Sequence, residues 1–298
     1  MSRLIALTGF MIGVCVCSAA FAEPAALTAG ADTRYFAGLL DHRSRYGEGW
    51  FPEPLRGSEL DAESEFRLDW FHGENQDSQA DEVTLEIEYN IGNLTLEVEG
   101  AYERGAESEE TPTGIARGRE EGIGPLEFSA RHPIYQWVSA DESIDFTLVA
   151  GLEFAVPTRT ELSRNDFELV PFLGQLFRFG DHLSLQTNVG YSIVIGPDEG
   201  GLNTLEYSAV FGYSIEREQL PIPGVHEITP LFELAGETPL NHDERFENAL
   251  FGTLGARVVF ASLGPVQPRL GLGYVFPIDS GARDELDWGI VTSVVFEY

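Results

Sequence analysis

The sequence has no lysine. All 18 of its basic residues are arginine, against 49 acidic residues, and the formal charge is −31 over 298 residues. A chain this acidic offers no cationic surface to replace phosphate counterions, which excludes nucleic acid as a partner. Anionic lipid headgroups would repel it as well. Cysteine is nearly absent: Cys15 and Cys17 are the two that occur. Beyond the first 22 residues no apolar run approaches the about 20 residues that a spanning helix needs. Yet hydrophobic residues make up 43% of the chain, too many for a disordered acidic tail.

Residues 1–22 read as a secretory signal peptide. Arg3 gives a short positive start, Leu4 to Val16 is apolar, and Ser18-Ala19-Ala20-Phe21-Ala22 closes with the small-x-small pattern of a cleavage site. The run is too short to anchor comfortably in a membrane. Val14 and Val16 stand where a lipoprotein would carry a small residue before its cysteine. Cleavage near Ala22 removes both cysteines, and with them any disulfide, thiolate metal site or cysteine nucleophile. If such a chain re-enters a membrane, it must do so as a closed β-barrel, the one helix-free way to satisfy every backbone group in hydrocarbon.

From residue 65 onward the hydrophobic pattern repeats every two residues. In 83–91, Val83, Leu85, Ile87, Tyr89 and Ile91 point one way and Thr84, Glu86, Glu88 and Asn90 the other. A helix would scatter these glutamates, whereas a strand gathers them on one face. Twelve such segments of about ten residues follow one another, the span of a tilted transmembrane strand. The sequence therefore predicts an all-β, antiparallel up-and-down transmembrane barrel over 65–298. Connections after odd-numbered segments are expected to be long (72–81, 104–123, 156–166, 194–204, 237–248, 277–286). Those after even-numbered segments are mostly short, with 132–143 and 216–226 longer. Short periplasmic turns and long outer loops are the barrel habit, which puts both termini in the periplasm. The chain stops on Tyr298 with Val294 and Phe296 on the same face. This is the kind of aromatic C-terminal signal that barrel-assembly machinery reads.

A secreted β-sandwich would also alternate. Two features favour the barrel: apolar faces free of charge, and aromatics near strand ends (Trp70, Tyr89, Tyr102, Tyr135, Trp137, Tyr191, Tyr213, Tyr274, Trp288), as in interfacial girdles. Pro171, Pro230 and Pro268 fall inside strands and must sit at bulges or near a rim. Residues 23–64, with Trp50-Phe51-Pro52-Glu53-Pro54, break the pattern and are expected in the periplasm or in the lumen as a plug.

Strand parity sends a charge wall inward: Asp69, Glu82, Glu86, Glu88, Glu97, Glu99, Glu127, Glu153, Glu168, Glu206, Glu233, Asp287 and Glu297, against Arg67, Arg131, Arg257 and Arg269. Such a lumen favours cations. The histidines are scattered without metal-ligand spacing, no loop matches an EF-hand, and no catalytic triad, metal site or cofactor is expected.

The segments L-E-F-A-V-P-T at 152–158, L-V-P-F-L at 169–173, T-P-L-F-E-L-A-G-E-T at 229–238, G-L-G-Y-V-F-P-I at 271–278 and the closing V-V-F-E-Y resemble the outer-membrane proteins grouped as the phenol meta-pathway degradation, transporter-like family. The resemblance covers about residues 65–298 and implies passage of small, aromatic compounds across the outer membrane. The acidic lumen departs from what a carrier of aromatic acids would want. The expected function is a passive outer-membrane pore for small solutes. The alternative is a structural or adhesive barrel acting through its long acidic loops.

Overall fold

Strands that alternate between apolar and polar residues build a wall with one greasy and one polar face. The structure, a computed structural model, describes residues 40–298 except 77, 112–113, 159–165, 197–202 and 242–246. Residues 1–39, with the signal peptide expected at 1–22, lie outside the described residues. The strands are β1 (Glu65–Glu74), β2 (Ser78–Ile91), β3 (Leu94–Thr111), β4 (Gly114–Val138), β5 (Ile144–Val156), β6 (Phe167–Phe179), β7 (Leu183–Ile195), β8 (Thr204–Tyr213), β9 (Ile215–Glu216), β10 (Val225–Pro239), β11 (Ala249–Phe260), β12 (Gln267–Pro277) and β13 (Trp288–Glu297). β9 resumes β8 after Ser214, and both pair with β10, so the wall counts twelve strands. Each is antiparallel to its neighbours, and β1 pairs with β13 from Glu65↔Glu297 to Glu74↔Trp288. The sheet thus closes into the twelve-stranded barrel that the alternation predicts.

The apolar row faces outward. Phe66, Leu68, Leu85, Ile87, Val98, Phe128 and Leu152 are all exposed on the outer surface. Of the girdle aromatics, Trp70, Tyr89, Tyr102, Tyr135, Trp137, Tyr191, Tyr213 and Tyr274 are exposed and Trp288 is half-buried. Phe296 and Tyr298 are exposed beside Val294. Among the described residues no helix is long and apolar enough to cross a membrane; strands form the wall.

Several connections are shorter than the sequence pattern suggests. The 72–81 loop shrinks to 75–77, because β1 and β2 continue past their apolar stretch. The 132–143 segment is mostly strand, leaving a turn at 139–143. The largest difference is 104–123, expected as a loop. There the β3–β4 ladder runs on to Thr111↔Gly114. A hairpin beyond the bilayer has water on both faces, so it needs no apolar row to remain a strand. The 277–286 connection holds a short helix, α1 (Ser280–Glu285), whose N-cap Asp279 accepts from the Ala282 amide at 3.0 Å.

The prolines fall where the ladders break. Pro268 is at the rim end of β12, and pairing with β11 stops at Arg269. Pro230 faces the gap between β8 and β9. At Pro171 the β6–β7 ladder lapses between Leu169 and Phe172. Pro133 sits at a bulge between β4 and β5.

Candidate functional site

Residues 40–64 form no strand, yet they are mostly buried, because they thread the lumen. Glycine permits the entry bends, with φ of +78° at Gly47 and +66° at Gly49. Pro52 and Pro54 then keep the chain out of regular structure. A buried irregular segment must find partners for its backbone polar groups, and the inward side chains of the wall provide them. The Gln186 amide donates to the Pro52 carbonyl at 2.6 Å. Arg257 donates to the Glu53 carbonyl at 3.2 Å and to that of Pro54 at 2.7 Å. Arg67 reaches the Pro54 carbonyl at 2.9 Å, and Arg131 the Asp61 carbonyl at 2.9 Å. In the opposite sense, the Glu233 carboxylate accepts from three successive amides, Leu55, Arg56 and Gly57, at 2.6, 2.9 and 3.2 Å.

The wall is also shaped to this plug. A Cβ at Gly255, Gly271 or Gly273 would stand 2.3, 2.4 or 2.9 Å from a Leu55 methyl, so these inward glycines form the socket for Leu55. Gly174 does the same for Leu60, at 2.3 Å. Tyr46, Phe51, Leu60, Val149 and Leu176 pack into one apolar cluster, while Leu55, Val210, Leu231, Val275 and Val291 belong to another.

The inward charges therefore divide into two sets. One set clamps the plug. Glu88 is wholly buried and held by both Arg131 nitrogens, at 2.8 and 2.5 Å. Arg257 pairs with Glu53 at 3.2 Å. Arg269 pairs with Glu53, with Glu63 at 2.8 Å and with Glu297. Glu88, expected to face a solute path, is instead sealed between the wall and the plug. The other set lines a cavity of about 120 Å3 whose floor is the plug segment Leu55–Glu59. Its carboxylates are Glu59, Asp69, Glu82, Glu86, Glu97, Glu99, Glu127 and Glu153, against Arg56, Arg67 and Arg131. The cavity lies toward the β1–β2 turn, beyond the clamps near the other rim, as Phe71↔Glu82 and Asp69↔Thr84 lie farther along β1 than Glu65 and Arg67.

Across this wall like charges stand side by side. Glu86 faces Glu99, Glu88 faces Glu97, and Glu99 faces Glu127 on adjacent strands. Opposed carboxylates destabilise a sheet, so the row concentrates negative potential at some cost to the fold. Glu97 is relieved by Arg131 at 2.9 Å. Among the described residues Glu99, Glu127 and Glu153 have no arginine in ion-pair reach. Of the remaining predicted wall residues, Glu206 is buried on the inner face of β8 and Glu168 bonds Ser192. Asp287 is the exception: it is exposed just before β13, because the strand starts at Trp288. Arg178, also buried and inward, escapes the parity reading. It donates to the Gly180 and Glu142 carbonyls at 2.7 Å each and so braces two neighbouring turns.

Within the plug, carboxyl groups respond to burial. Burial lifts Glu59 to about 8, with Glu53 adding to the effect, and lifts Asp61 to about 6 despite amide bonds from Gly47 and Ala62. Glu63 is likewise raised by burial, well above its ordinary 4.5. Burial would raise Glu53 too, but the guanidiniums of Arg269 and Arg257 hold it below its ordinary value.

A closed antiparallel wall, apolar outside and charged within, has the fold of an outer-membrane β-barrel. No protein-family model matches the chain, and no curated protein sequence does. Among solved structures, it is similar to the COG4313 outer membrane channel from Pseudomonas putida F1, with a TM-score of 0.54 at 13% identity over 83% of this chain and 100% of that one. The NanC porin aligns with a TM-score of 0.44 at 10% identity over 79% of this chain and 98% of its own. For the KdgM porin the values are 0.37, 11%, 78% and 98%.

Proposed function

We propose that the protein is a passive outer-membrane channel for small solutes that favours cations, with residues 40–64 as its plug. The carboxylate-lined cavity carries the reading: among the described residues three of its glutamates have no arginine partner, and they face the void from β3, β4 and β5. Unpaired acids along a narrow water-filled path attract cations and repel anions. The likeness to the phenol meta-pathway family supports small, aromatic solutes. The lining narrows these to neutral or cationic compounds, because an aromatic acid would meet the same repulsion as any anion. No chemical turnover is involved; solutes diffuse through when the plug yields.

In this reading both termini are periplasmic and the long β3–β4 hairpin points away from the cell. The outward row of Val294, Phe296 and Tyr298 is what the assembly machinery would read. Planar-bilayer recordings on the purified, folded barrel test the proposal. Conductance with a cation-selective reversal potential is expected, and a folded protein that never conducts overturns it. That outcome would favour an adhesive role, for which the ladder running to Thr111↔Gly114 would supply a long hairpin.

A further inference from the structure

Glu65 is the point where the plug becomes the barrel wall, and among the described residues no amide, hydroxyl or guanidinium donates to its carboxylate. The residue is 0% exposed and neither of its oxygens accepts a hydrogen bond. One oxygen each from Glu65, Glu59 of the plug and Glu86 of β2 lie within 4.8 Å of one another. Glu59 Oε2 accepts no hydrogen bond either. Arg67 is the guanidinium at hand, but its Nη1 stands 3.8 Å from both Glu59 and Glu86. Its Nη2 is engaged by Asp69 at 2.8 Å and by the Pro54 carbonyl at 2.9 Å. On the other flank Glu53 and Glu63 also approach Glu65, but Arg257 and Arg269 engage them. Glu88 faces the cluster from β2 and belongs to Arg131.

Three buried carboxylates thus meet around one distant, shared guanidinium. Leaving such charges uncompensated is prohibitive, so the surplus must be met by a bound cation or by protons. The donor set is all oxygen and comes from three chain elements. Calcium ligands at 2.3–2.6 Å place donor oxygens up to about 5 Å apart, the spacing seen here. We propose that Glu59, Glu65 and Glu86 form a calcium-type divalent cation site that pins the plug to β1 and β2. The cation would compensate Glu65, a carboxylate at the junction of plug and wall that the arginine clamps do not serve. It would also tie residue 59 to the wall independently of the amides held by Glu233. The site concerns how the plug is held, and it stands whether or not the barrel conducts.

The test uses the full chain, folded in detergent and stripped with chelator. Calorimetric titration with calcium chloride is expected to show one saturable site per chain. The melting temperature should be higher in calcium than in EDTA by several degrees. The isosteric Glu65→Gln variant should raise Kd at least about tenfold and lose the melting shift, as affinity follows ligand charge. Glu218→Gln, an exposed turn residue, should change neither. Heat-modifiable migration on gels shows that each variant is folded. If Glu65→Gln does not fold, Glu86→Gln takes its place. Absence of saturable calcium binding to the wild-type protein overturns the proposal. So does an unchanged calcium response in the folded variants, and so does a melting temperature that follows pH and ignores calcium, which would assign the surplus charge to protons. None of these measurements uses conductance, so a failure here and a failure of the channel reading are separate results.

Discussion

At the scale of single residues, arginine does what lysine could not. Arg131 spans the Glu88 carboxylate, Glu97 and the Asp61 carbonyl with one planar fork, and Arg257 serves two carbonyls and a carboxylate. A lysine is a point charge on a flexible stem and lacks that fixed geometry. Arg131→Met should therefore strand Glu88 in a buried site and cost about 3–5 kcal/mol, read as a lowered denaturation midpoint in detergent. Arg131→Lys should recover only part of that loss. Strand parity made Arg67, Arg131, Arg257 and Arg269 legible as inward residues. Their wall partners Asp69, Glu88, Glu97 and Glu297 share that inward face, but their plug partners, Glu53, Glu63 and the Pro54 and Asp61 carbonyls, were not legible, because they lie on a segment with no periodicity to align against the wall. Arg178 escaped because the alternation in β6 was followed only as far as Gly174, four residues short of it.

At the scale of elements, the plug depends on sockets as much as on charges. Replacing Gly271 by leucine fills the space of the Leu55 methyls, 2.4 Å from a Cβ at that position. The expected outcome is a folded barrel whose 40–64 segment is cut faster by protease, checked by mass spectrometry. The inward glycines are visible in the sequence as gaps on the polar face, but glycine there reads equally as a turn or as strand flexibility. Only the methyl lying against it reveals the purpose. Docking should also depend on pH. Glu59, Asp61 and Glu63 hold their protons more tightly in the docked plug than in water, so docking is strongest below their free values of 3.8 to 4.5. It weakens as pH rises through about 6 for Asp61 and about 8 for Glu59. Glu53 runs the other way, since its lowered value gives stability that is lost only as strong acid protonates it. In EDTA, protease release of the plug should therefore quicken between about pH 5 and about pH 9. A flat profile would show that these carboxyls do not report on docking.

At the scale of the whole molecule, the barrel was readable because its solvent is reversed: hydrocarbon demands apolar residues outside, and period two records that demand on every strand. The β3–β4 hairpin was unreadable for the same reason, since outside the bilayer the demand ends. Replacing Glu99, Glu127 and Glu153 by lysine should move the reversal potential toward anion preference, and deleting residues 40–64 should raise single-channel conductance. Unchanged values in bilayer recordings would place the solute path elsewhere. The seam between β1 and β13 has a further consequence. The amide of Tyr298 bonds the Ser64 carbonyl at 2.9 Å, next to Glu65↔Glu297, so the last strand closes against the very residues where the plug enters. The first and last strands are the most distant in sequence, and bringing them together carries the largest loop-closure entropy of any ladder in the fold. The seam that completes the hoop is thus also the seam that fixes where the plug enters, so a change that weakens the β1–β13 ladder should loosen wall and plug together.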